Sequence, residues 1–382
     1  MRVCYLACDV DLGMGHGGAT HVREVAENLA ALGHDVHVVA RCRASGSNPA
    51  YHSSSRRVPR QARVLNWMWL RRELRNLRPD VVIERYYNFG GEGALLKRET
   101  AVPFVLEVNS PMIDYRGSPK EWLDRLLLFR PLERYRNWIG ECADLIVTPL
   151  PQILPPGTDP QKVLRLPWGA NTDRFQPDGK KAMIREKLCI PPHAAVALFT
   201  GSFRRWHGAE TLVRASCDVM QRSGVQLYVM LIGEGPTLGR AMQYASEHAP
   251  AGRIISTGRV AYEEMPAYME AADFAVAPFD TSAHKHLQLG FYWSPLKIFE
   301  AMAVGLPVVT IRVPEIVGIV GDGGLYYDEG DCTALTAAIT QAASDAGLRE
   351  AMGRTARERV KAFSWRAHCQ ALSDRLGLLV SR

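Results

Sequence analysis

Short, continuous apolar runs alternate with helical patterns along almost the whole chain, and this alternation limits the folds that the chain can adopt. In the first half, such runs occupy residues 3–7, 36–40, 81–83, 104–108 and 145–148. Because they lack the apolar–polar alternation of a half-exposed strand, they indicate strands buried on both faces, as in a parallel sheet covered by helices. The amphipathic segment 20–32 lies between the first two runs and ends at Gly33, which predicts a β–α–β unit. The sequence therefore predicts an α/β fold.

A second series of apolar runs begins after Pro191, at residues 196–200, 227–232, 254–257, 274–277, 308–311 and 325–327. The segment 176–192 between the two series is polar and carries Lys180 and Lys181. We therefore place a domain boundary there and predict two Rossmann-like domains, residues 1–178 and 179–364. A last helical segment follows Trp365, so that residues 365–382 form a third part.

The composition agrees with a globular protein of about two domains. The chain has 382 residues, of which 47% are hydrophobic and 23% are charged, and these are ordinary values for such proteins. No apolar run is long enough for a membrane span, and the first strand lacks the apolar core and cleavage site of a signal peptide, so we expect a cytoplasmic protein. The eight cysteines show no zinc-ligand spacing, which favours reduced thiols and no metal site.

Basic residues are concentrated in residues 41–80, which contain ten arginines and only two acidic residues. The segment 64–78 combines this charge with two tryptophans, and three interpretations remain open. In the first interpretation, the segment is an amphipathic surface helix with Leu70, Leu74 and Leu77 facing the core. In the second, it makes a peripheral contact with an anionic membrane. In the third, it steers an anionic acceptor electrostatically. No nucleic-acid-reading module accompanies the charge, so we expect no nucleic-acid partner.

The segment 294–309 carries the clearest functional pattern. Glu300 stands among the apolar positions of a helical pattern that ends at Gly305, a residue typical of helix C-termini. A carboxylate at a largely buried position needs a partner or a ligand, because its desolvation is costly. The helix follows a Ser-Pro loop, and a helix N-terminus favours an anion. Since a carboxylate one turn later suits ribose hydroxyls, the segment predicts a site for a nucleoside diphosphate.

This segment resembles the donor-site signature of the retaining glycosyltransferases of family 4. Further segments resemble motifs of that family and occur in the expected order: 15–21, 201–208, 231–236, 257–260 and 265–278. Their ordered co-occurrence is more specific than any one motif. The resemblance implies the GT-B fold, in which two facing Rossmann-like domains bind the acceptor (residues 1–178) and the nucleotide sugar (residues 179–364). It also implies that a C-terminal helix, residues 365–382, crosses back to the first domain.

The reaction follows from the same resemblance. A sugar would move from a nucleoside-diphosphate sugar, with UDP preferred on family frequency, to an acceptor hydroxyl with retention of the anomeric configuration. No cofactor is expected, and no DxD motif stands where a metal ion would bridge the diphosphate. Two alternatives stay open: a GT-B epimerase or hydrolase of nucleotide sugars, and a non-catalytic subunit that binds them.

The resemblance assigns the diphosphate contacts to two loops. Lys297 and one of Arg204 and Arg205 would clamp the diphosphate and stabilise the charge that develops on it, with Lys297 and Arg205 as the catalytic cations. Backbone amides of Pro295 and Leu296 would contribute to the same contact.

The chain departs from the usual family pattern at several of these positions. Ser202 and His207 stand where the family usually has arginine and lysine, and Tyr292 stands where it usually has a glutamate. We expect Tyr292 and Ser294 to shape the sugar pocket. The other predicted donor contacts are the first-loop glycines and the groups near the ribose and base: Gly17, Gly18, Gly233, Glu234, Arg259, Val260 and Glu300.

Asn109 occupies the position where many relatives have an active-site histidine. An amide can orient a hydroxyl but cannot act as a general base. Glu107, on the same strand, either handles the acceptor's proton or is a buried partner for Arg85, and we favour orientation over proton transfer. The predicted acceptor contacts are His16, Arg85, Tyr87 and Asn109. His21, which also flanks the glycine loop, is expected to be a surface or capping residue.

Overall fold

The computed structural model describes residues 1–13, 17–42, 48–55 and 60–381. The chain forms two compact units. The first unit contains Met1–Trp168, Gln288–Ser294 and Trp365–Arg382, and the second contains Gly169–Leu287 and Pro295–Ser364. Each unit has its own parallel sheet, so the predicted α/β class is confirmed.

The sheet of the first unit has seven strands: β1 (Arg2–Asp11), β2 (Asp35–Cys42), β3 (His52–Ser55), β4 (Val81–Arg85), β5 (Phe104–Glu107), β6 (Leu145–Thr148) and β7 (Val163–Arg165). Their order is β3–β2–β1–β4–β5–β6–β7, and all neighbours are parallel. The five predicted strands are present as β1, β2, β4, β5 and β6. The edge strands β3 and β7 were not predicted, because β3 is polar and β7 has only three residues.

The sheet of the second unit has six strands: β8 (Ala195–Thr200), β9 (Leu227–Ile232), β10 (Ile254–Gly258), β11 (Phe274–Ala277), β12 (Val308–Ile311) and β13 (Gly324–Tyr327). Their order is β10–β9–β8–β11–β12–β13, again with parallel neighbours. All six correspond to predicted apolar runs. These runs are visible in the sequence because β8, β11 and β12 are buried along their whole length.

The helices of the described residues are α1 (Gly17–Ala31), α2 (Trp67–Leu77), α3 (Glu92–Glu99), α4 (Pro119–Leu126), α5 (Pro131–Cys142), α6 (Lys181–Lys187), α7 (Ala209–Arg222), α8 (Leu238–His248), α9 (Met265–Glu270), α10 (Leu296–Ala303), α11 (Pro314–Val320), α12 (Cys332–Ser344), α13 (Ala346–Val360) and α14 (Trp365–Val380). Among them, no helix is both long and apolar enough to cross a bilayer.

The last helix packs on the first unit, as the resemblance implies. The Sγ atom of Cys369 on α14 lies 3.7 Å from the carbonyl oxygen of Val25 on α1. His34, which follows α1, places its Nε2 atom 2.8 Å from the hydroxyl of Ser373.

Helix α2 is the amphipathic surface helix of the first interpretation. Leu70 and Leu74 are buried against the sheet, and Leu77 packs beside them. Met68 and Trp69 are exposed on the same helix. This packing leaves the membrane and acceptor interpretations of the outer face as predictions.

The chain passes into the second unit at Gly169, earlier than the boundary predicted after residue 178. The amide of Ala170 donates to the carbonyl of Phe363 at 2.9 Å, and Ala170 forms a β-bridge with Ser364. Gly169 permits this approach, because a Cβ atom there would lie 2.3 Å from the Phe363 carbonyl oxygen. The contact joins residues distant in sequence, and local composition does not reveal it.

In both sheets, the strands that follow the first strand in sequence are added on one side of it and then on the other. In the first unit β1 lies between β2 and β4, and in the second β8 lies between β9 and β11. Ligands of open α/β sheets bind beyond the carboxyl ends of the strands at such a reversal. The loops after β1 and β4, and those after β8 and β11, are therefore the places where each unit is expected to bind a ligand.

Candidate functional site

Three glycines hold the loops of the second unit together at the reversal. A Cβ atom would lie 1.7 Å from the Pro278 carbonyl oxygen if added to Gly208, and 2.0 Å from the Gly201 carbonyl oxygen if added to Gly233. At Gly235 it would lie 1.9 Å from a backbone oxygen as well. The φ angle at Gly208 is +72° and at Gly233 +120°, a region that side chains disfavour. Gly233, predicted to contact the donor, thus has a clear structural role in this packing.

Lys297 and His207 converge on the loop that these glycines support. Lys297 lies in the first turn of α10, with its Nζ atom 4.3 Å from the ring centre of Phe199 and 5.3 Å from that of Phe279. A Cβ atom on Gly201 would lie 2.9 Å from Lys297 Nζ and 3.3 Å from His207 Nδ1. Both nitrogens are buried, and neither hydrogen-bonds to any residue that the structure describes. The loop thus presents two buried nitrogens with unused hydrogen-bonding capacity.

Burial lowers the pKa values of both Lys297 and His207. It lowers the pKa of Lys297 to about 7, an effect that the nearby Glu300 carboxylate partly opposes. Burial also lowers the pKa of His207 to about 2, and the positive charges of Lys297 and Arg204 act in the same direction. At pH 7 His207 is therefore neutral and Lys297 is close to its midpoint. A bound anion would favour the protonated form of Lys297, so this site would gain positive charge when a phosphate binds.

Glu300 is half-buried rather than largely buried as predicted. It follows Lys297 by three residues on α10, so the two side chains lie on the same side of the helix. The opposite positions Ile298, Phe299 and Met302 form the buried face. The apolar pattern correctly predicts this buried face, but Glu300 lies at its border.

The prediction that a backbone amide of Pro295 contacts the diphosphate is wrong, because proline has no backbone N–H. In the structure Pro295 is the N-cap of α10, and its carbonyl accepts a hydrogen bond from the amide of Ile298 at 2.9 Å. The helix N-terminus can therefore offer the backbone amides of Leu296 and Lys297 to an anion.

The other predicted donor residues of the second unit lie nearer its surface. Ser202, Arg204 and Arg205 are exposed, and Arg205 begins the short 3-10 turn Arg205–His207. Glu234 and Arg259, which follow β9 and β10, form an exposed ion pair at 2.9 Å, and Val260 is half-buried beside it. The structure brings these last three together at the ends of neighbouring strands, as the motif order implied.

Tyr292 and Ser294 belong to the segment Gln288–Ser294 of the first unit. The Ser294 hydroxyl accepts a hydrogen bond from the Trp168 amide at 3.1 Å. Tyr292 is buried, and burial raises the pKa of its phenol to about 12. The sugar-pocket role predicted for both residues stays a prediction, since their observed contacts are with the first unit.

Glu107 is the centre of a buried polar cluster in the first unit. The Tyr5 hydroxyl donates to Glu107 Oε2 at 2.6 Å, and Glu107 Oε1 lies 3.0 Å from His21 Nε2. Burial raises the pKa of Glu107 to about 7, while Tyr5, Arg85 and Asn109 each lower it. The side-chain oxygen of Asn109 accepts a hydrogen bond from the Trp168 indole at 2.8 Å. Glu107 and Asn109 thus lie side by side, as predicted from their strand.

His21 is completely buried, so the expectation of a surface or capping role is wrong. Its ring stacks on Trp168 with 4.4 Å between ring centres and lies 5.2 Å from Trp365 of α14. His368 on the same helix places Nδ1 2.9 Å from the Pro167 carbonyl oxygen. Sequence reasoning did not identify His368, because α14 brings it to Glu107 from the far end of the chain.

His21, Glu107 and His368 each offer one atom that could bind a metal ion, and these three atoms lie within 4.8 Å of one another. Two imidazoles and a carboxylate are a donor set that zinc accepts. However, burial lowers the pKa of His21, and the positive charge of Arg85 acts in the same direction. At Glu107 the charge of Arg85 opposes the rise in pKa that burial causes. The same positive charge opposes a metal cation here. Tyr5 donates to Glu107, whereas His21 Nε2 and His368 Nε2 have no hydrogen-bond partner among the described residues.

Arg85 pairs with Asp9 rather than with Glu107. Its Nη1 atom lies 2.6 Å from Asp9 Oδ2, and the buried Arg63 holds the other Asp9 oxygen at 3.0 Å. Glu84, which precedes Arg85 on β4, is buried and accepts hydrogen bonds from the amides of Gly91 and Gly93.

Three predicted residues lie at the margin of this region. Tyr87 is half-buried, with its ring centre 6.4 Å from that of Phe89. Gly17 and Gly18 form the first turn of α1, after β1. His16 lies outside the described residues.

Two family models match the chain. Residues 194–345 match the model described as "Glycosyl transferases group 1", and residues 15–154 match the model described as "Glycosyltransferase Family 4". The second match falls within the first unit, and the first falls largely within the second unit.

Curated relatives and solved structures agree with these matches. The chain is 30% identical over 233 residues to D-inositol 3-phosphate glycosyltransferase 2 of Catenulispora acidiphila, an alignment that covers 57% of this chain and 51% of that protein. It is 26% identical over 312 residues to the D-inositol 3-phosphate glycosyltransferase of Kribbella flavida, covering 76% and 69%. The chain spans about half the length of the first curated relatives that it matches.

Solved structures match over the whole chain. Sucrose-phosphate synthase of Thermosynechococcus elongatus has a TM-score of 0.78 at 22% identity, covering 100% of this chain and 99% of that one. Alr3699/HepE of Anabaena, solved in complex with UDP, has a TM-score of 0.76 at 14% identity, covering 99% and 100%. At these identities the likeness shows the fold alone, which is GT-B.

Proposed function

The chain belongs to family 4 of the glycosyltransferases (group 1), and we propose that it transfers a sugar from a nucleoside-diphosphate sugar to an acceptor hydroxyl with retention of the anomeric configuration. The observation that carries this proposal is the convergence of Lys297 Nζ and His207 Nδ1 at Gly201, in the loop beyond β8. We prefer UDP as the nucleotide, and the complex of the Anabaena relative with UDP supports that preference.

Lys297 takes the role of the principal diphosphate cation. As the sugar leaves, negative charge builds on the β-phosphate, and a fixed positive charge in a desolvated site stabilises it most effectively. The family usually has a lysine at the position of His207, which is neutral here. The positive charge is therefore supplied from α10, while the His207 ring offers a neutral hydrogen bond beside it. Arg205 is an exposed second cation that can reach the phosphates on binding.

Glu300 binds the ribose in this proposal. It lies three residues after Lys297 on α10, so the helix presents a cation to the diphosphate and a carboxylate to the hydroxyls one turn later. Because Glu300 is half-buried, its hydrogen bonds to a ligand would be partly shielded from water.

On the first unit, Asn109 and Arg85 would orient the acceptor hydroxyl. The Tyr5 hydroxyl already donates to Glu107 Oε2, and the other oxygen faces the His21 ring at 3.0 Å. We therefore assign Glu107 a positioning role rather than proton transfer, and the departing phosphate helps to take the acceptor's proton.

We propose a transfer that needs no metal ion, because the cations of the chain itself serve the diphosphate. A DxD triplet occurs at Asp9-Val10-Asp11. Asp9 is held by Arg63 and Arg85, however, and cannot serve as a free metal ligand.

The test is to incubate the protein with a panel of nucleotide sugars and acceptor alcohols, with and without EDTA, and to record proton NMR spectra. We expect an acceptor-dependent product with the donor's anomeric configuration and equal rates with EDTA. Acceptor-independent isomerisation or hydrolysis would support the epimerase or hydrolase alternative. Binding without turnover across the panel would support a non-catalytic subunit, and an inverted anomer would contradict retention.

A further inference from the structure

The connection between α4 and α5 carries an exposed apolar surface that the proposed glycosyl transfer does not use. Six of the thirteen exposed large apolar side chains among the described residues lie in residues 122–129. The most exposed are Leu128 at 82%, Phe129 at 71% and Trp122 at 65%. We call residues 122–129 the α4–α5 tip. A cluster of this kind marks an interaction site more often than chance exposure does.

Buried polar contacts hold the tip in this conformation. The Ser118 hydroxyl caps α4 by accepting from the amide of Glu121 at 3.0 Å. The carboxylate of Asp124 is buried and accepts from two amides in the first turn of α5, at 2.8 and 3.0 Å. Leu128 and Arg130 have φ angles of +57° and +46°, which are unfavourable for such residues and persist only when the surrounding structure imposes them. The exposure of the tip is thus built into the hairpin.

The charge around the tip favours an anionic partner. Residues 115–138 contain six lysine or arginine residues against three acidic ones. Arg116, Arg125, Arg130 and Arg134 are exposed, whereas Asp124 is buried. Arg125 pairs with Glu121 and Arg130 with Glu133, so the excess positive charge of the exposed arginines comes from Arg116 and Arg134. A second copy of the chain docked on this surface would bring like charges together, which is unfavourable. Lipid headgroups with negative charge would complement the arginines, while tryptophan and phenylalanine favour the bilayer interface.

The turn that precedes the basic helix α2 is linked to the start of α4. The amide of Val64 donates to the carbonyl of Phe89 at 3.0 Å, and the Lys120 ammonium of α4 donates to the side chain of the neighbouring Asn88 at 2.7 Å. These bonds link the 3-10 turn Arg60–Asn66 before α2 to α4 through one loop. Leu65 and Phe89, which are next to these bonded residues or part of them, also have exposed side chains.

We propose that the α4–α5 tip docks the protein on an anionic bilayer surface, with Trp122, Leu128 and Phe129 entering the interface and the exposed arginines contacting lipid phosphates. This inference concerns where the protein binds and is independent of the proposed glycosyl transfer.

The experiment measures co-sedimentation of the full chain with vesicles of phosphatidylcholine alone or with phosphatidylglycerol added, at low and high salt. We expect binding to the anionic vesicles that weakens with salt. The triple variant Trp122→Ser, Leu128→Ser, Phe129→Ser should bind at least about tenfold more weakly. Arg116→Gln with Arg134→Gln should lower the salt dependence. The double variant Met183→Ser, Leu378→Ser removes similarly exposed apolar side chains elsewhere and should bind like the wild type.

Thermal unfolding checks that the variants fold, and quenching of tryptophan fluorescence by brominated lipid in the wild type gives a readout that needs no variant. Quenching on anionic vesicles supports the proposal. Wild-type protein that does not bind these vesicles would overturn it. So would self-association in light scattering that the triple variant abolishes, because the tip would then be an interface between copies.

Discussion

Lys297→Met is expected to have opposite effects on stability and on turnover. In the wild type, burial lowers the pKa of this lysine from 10.5 to about 7. At pH 7 the unfolded chain holds the proton almost fully, while the folded protein holds it about half of the time. By linkage, this difference costs about 4 kcal/mol of folding free energy at pH 7. Methionine has no such cost, and its sulfur packs well against the Phe199 and Phe279 rings.

The pH dependence follows from the sign of the shift. Because the folded pKa lies below the unfolded one, the unfolded state binds more protons between pH 7 and 10.5, and wild-type stability rises with pH across that window. The cost at Lys297 falls to about 1 kcal/mol at pH 9.5. The advantage of Lys297→Met should therefore be greatest at pH 7 and should shrink toward pH 9.5.

Turnover should fall by about a hundredfold to a thousandfold, since the charge acts where the diphosphate departs. Binding of the free nucleoside should change little. The assays are urea unfolding at pH 7 and 9.5 and steady-state kinetics with the preferred nucleotide sugar. Lys285→Met, at an exposed lysine of the same unit, is the control for loss of one positive charge. A Lys297→Met variant that is less stable at both pH values, or that keeps wild-type turnover, would refute the reasoning.

Three further changes test other parts of the site. Glu300→Gln should weaken nucleotide binding by about 1–3 kcal/mol in calorimetry, because charged hydrogen bonds to ribose are lost; unchanged affinity would contradict the ribose role. Tyr292→Glu should shift selectivity toward an ordinary gluco-configured donor in competition assays, whereas a wild type that already prefers fully hydroxylated glucose would argue against this. The pKa of Glu107 is raised by burial from 4.5 to about 7, so the folded state binds more protons than the unfolded state between these two pH values. The contribution of Glu107 to stability should therefore fall as pH rises from 4.5 to 7. Glu107→Gln should flatten that dependence of the urea midpoint.

The apolar periodicity of the sequence predicts most strands of both sheets. Strands such as β8 and β12 are buried on both faces, and a continuous apolar run is the direct consequence of that burial. The apolar residues of a buried helix face recur at a fixed spacing. This spacing predicts α10, and Gly305 marks its end. The edge strand β3 cannot be predicted in this way, since its residues are polar.

The contacts between side chains at the two candidate sites depend on the tertiary fold. Lys297 and His207 converge because Gly201 leaves space between them, a fact of packing that residue spacing does not contain. His21 and His368 reach Glu107 from opposite ends of the chain, since α14 packs on α1. The Leu126–Phe129 stretch is as apolar as a core strand, yet it is exposed because Asp124 and the hairpin geometry turn it outward. A sequence specifies local periodicity, whereas burial and proximity depend on contacts between distant segments.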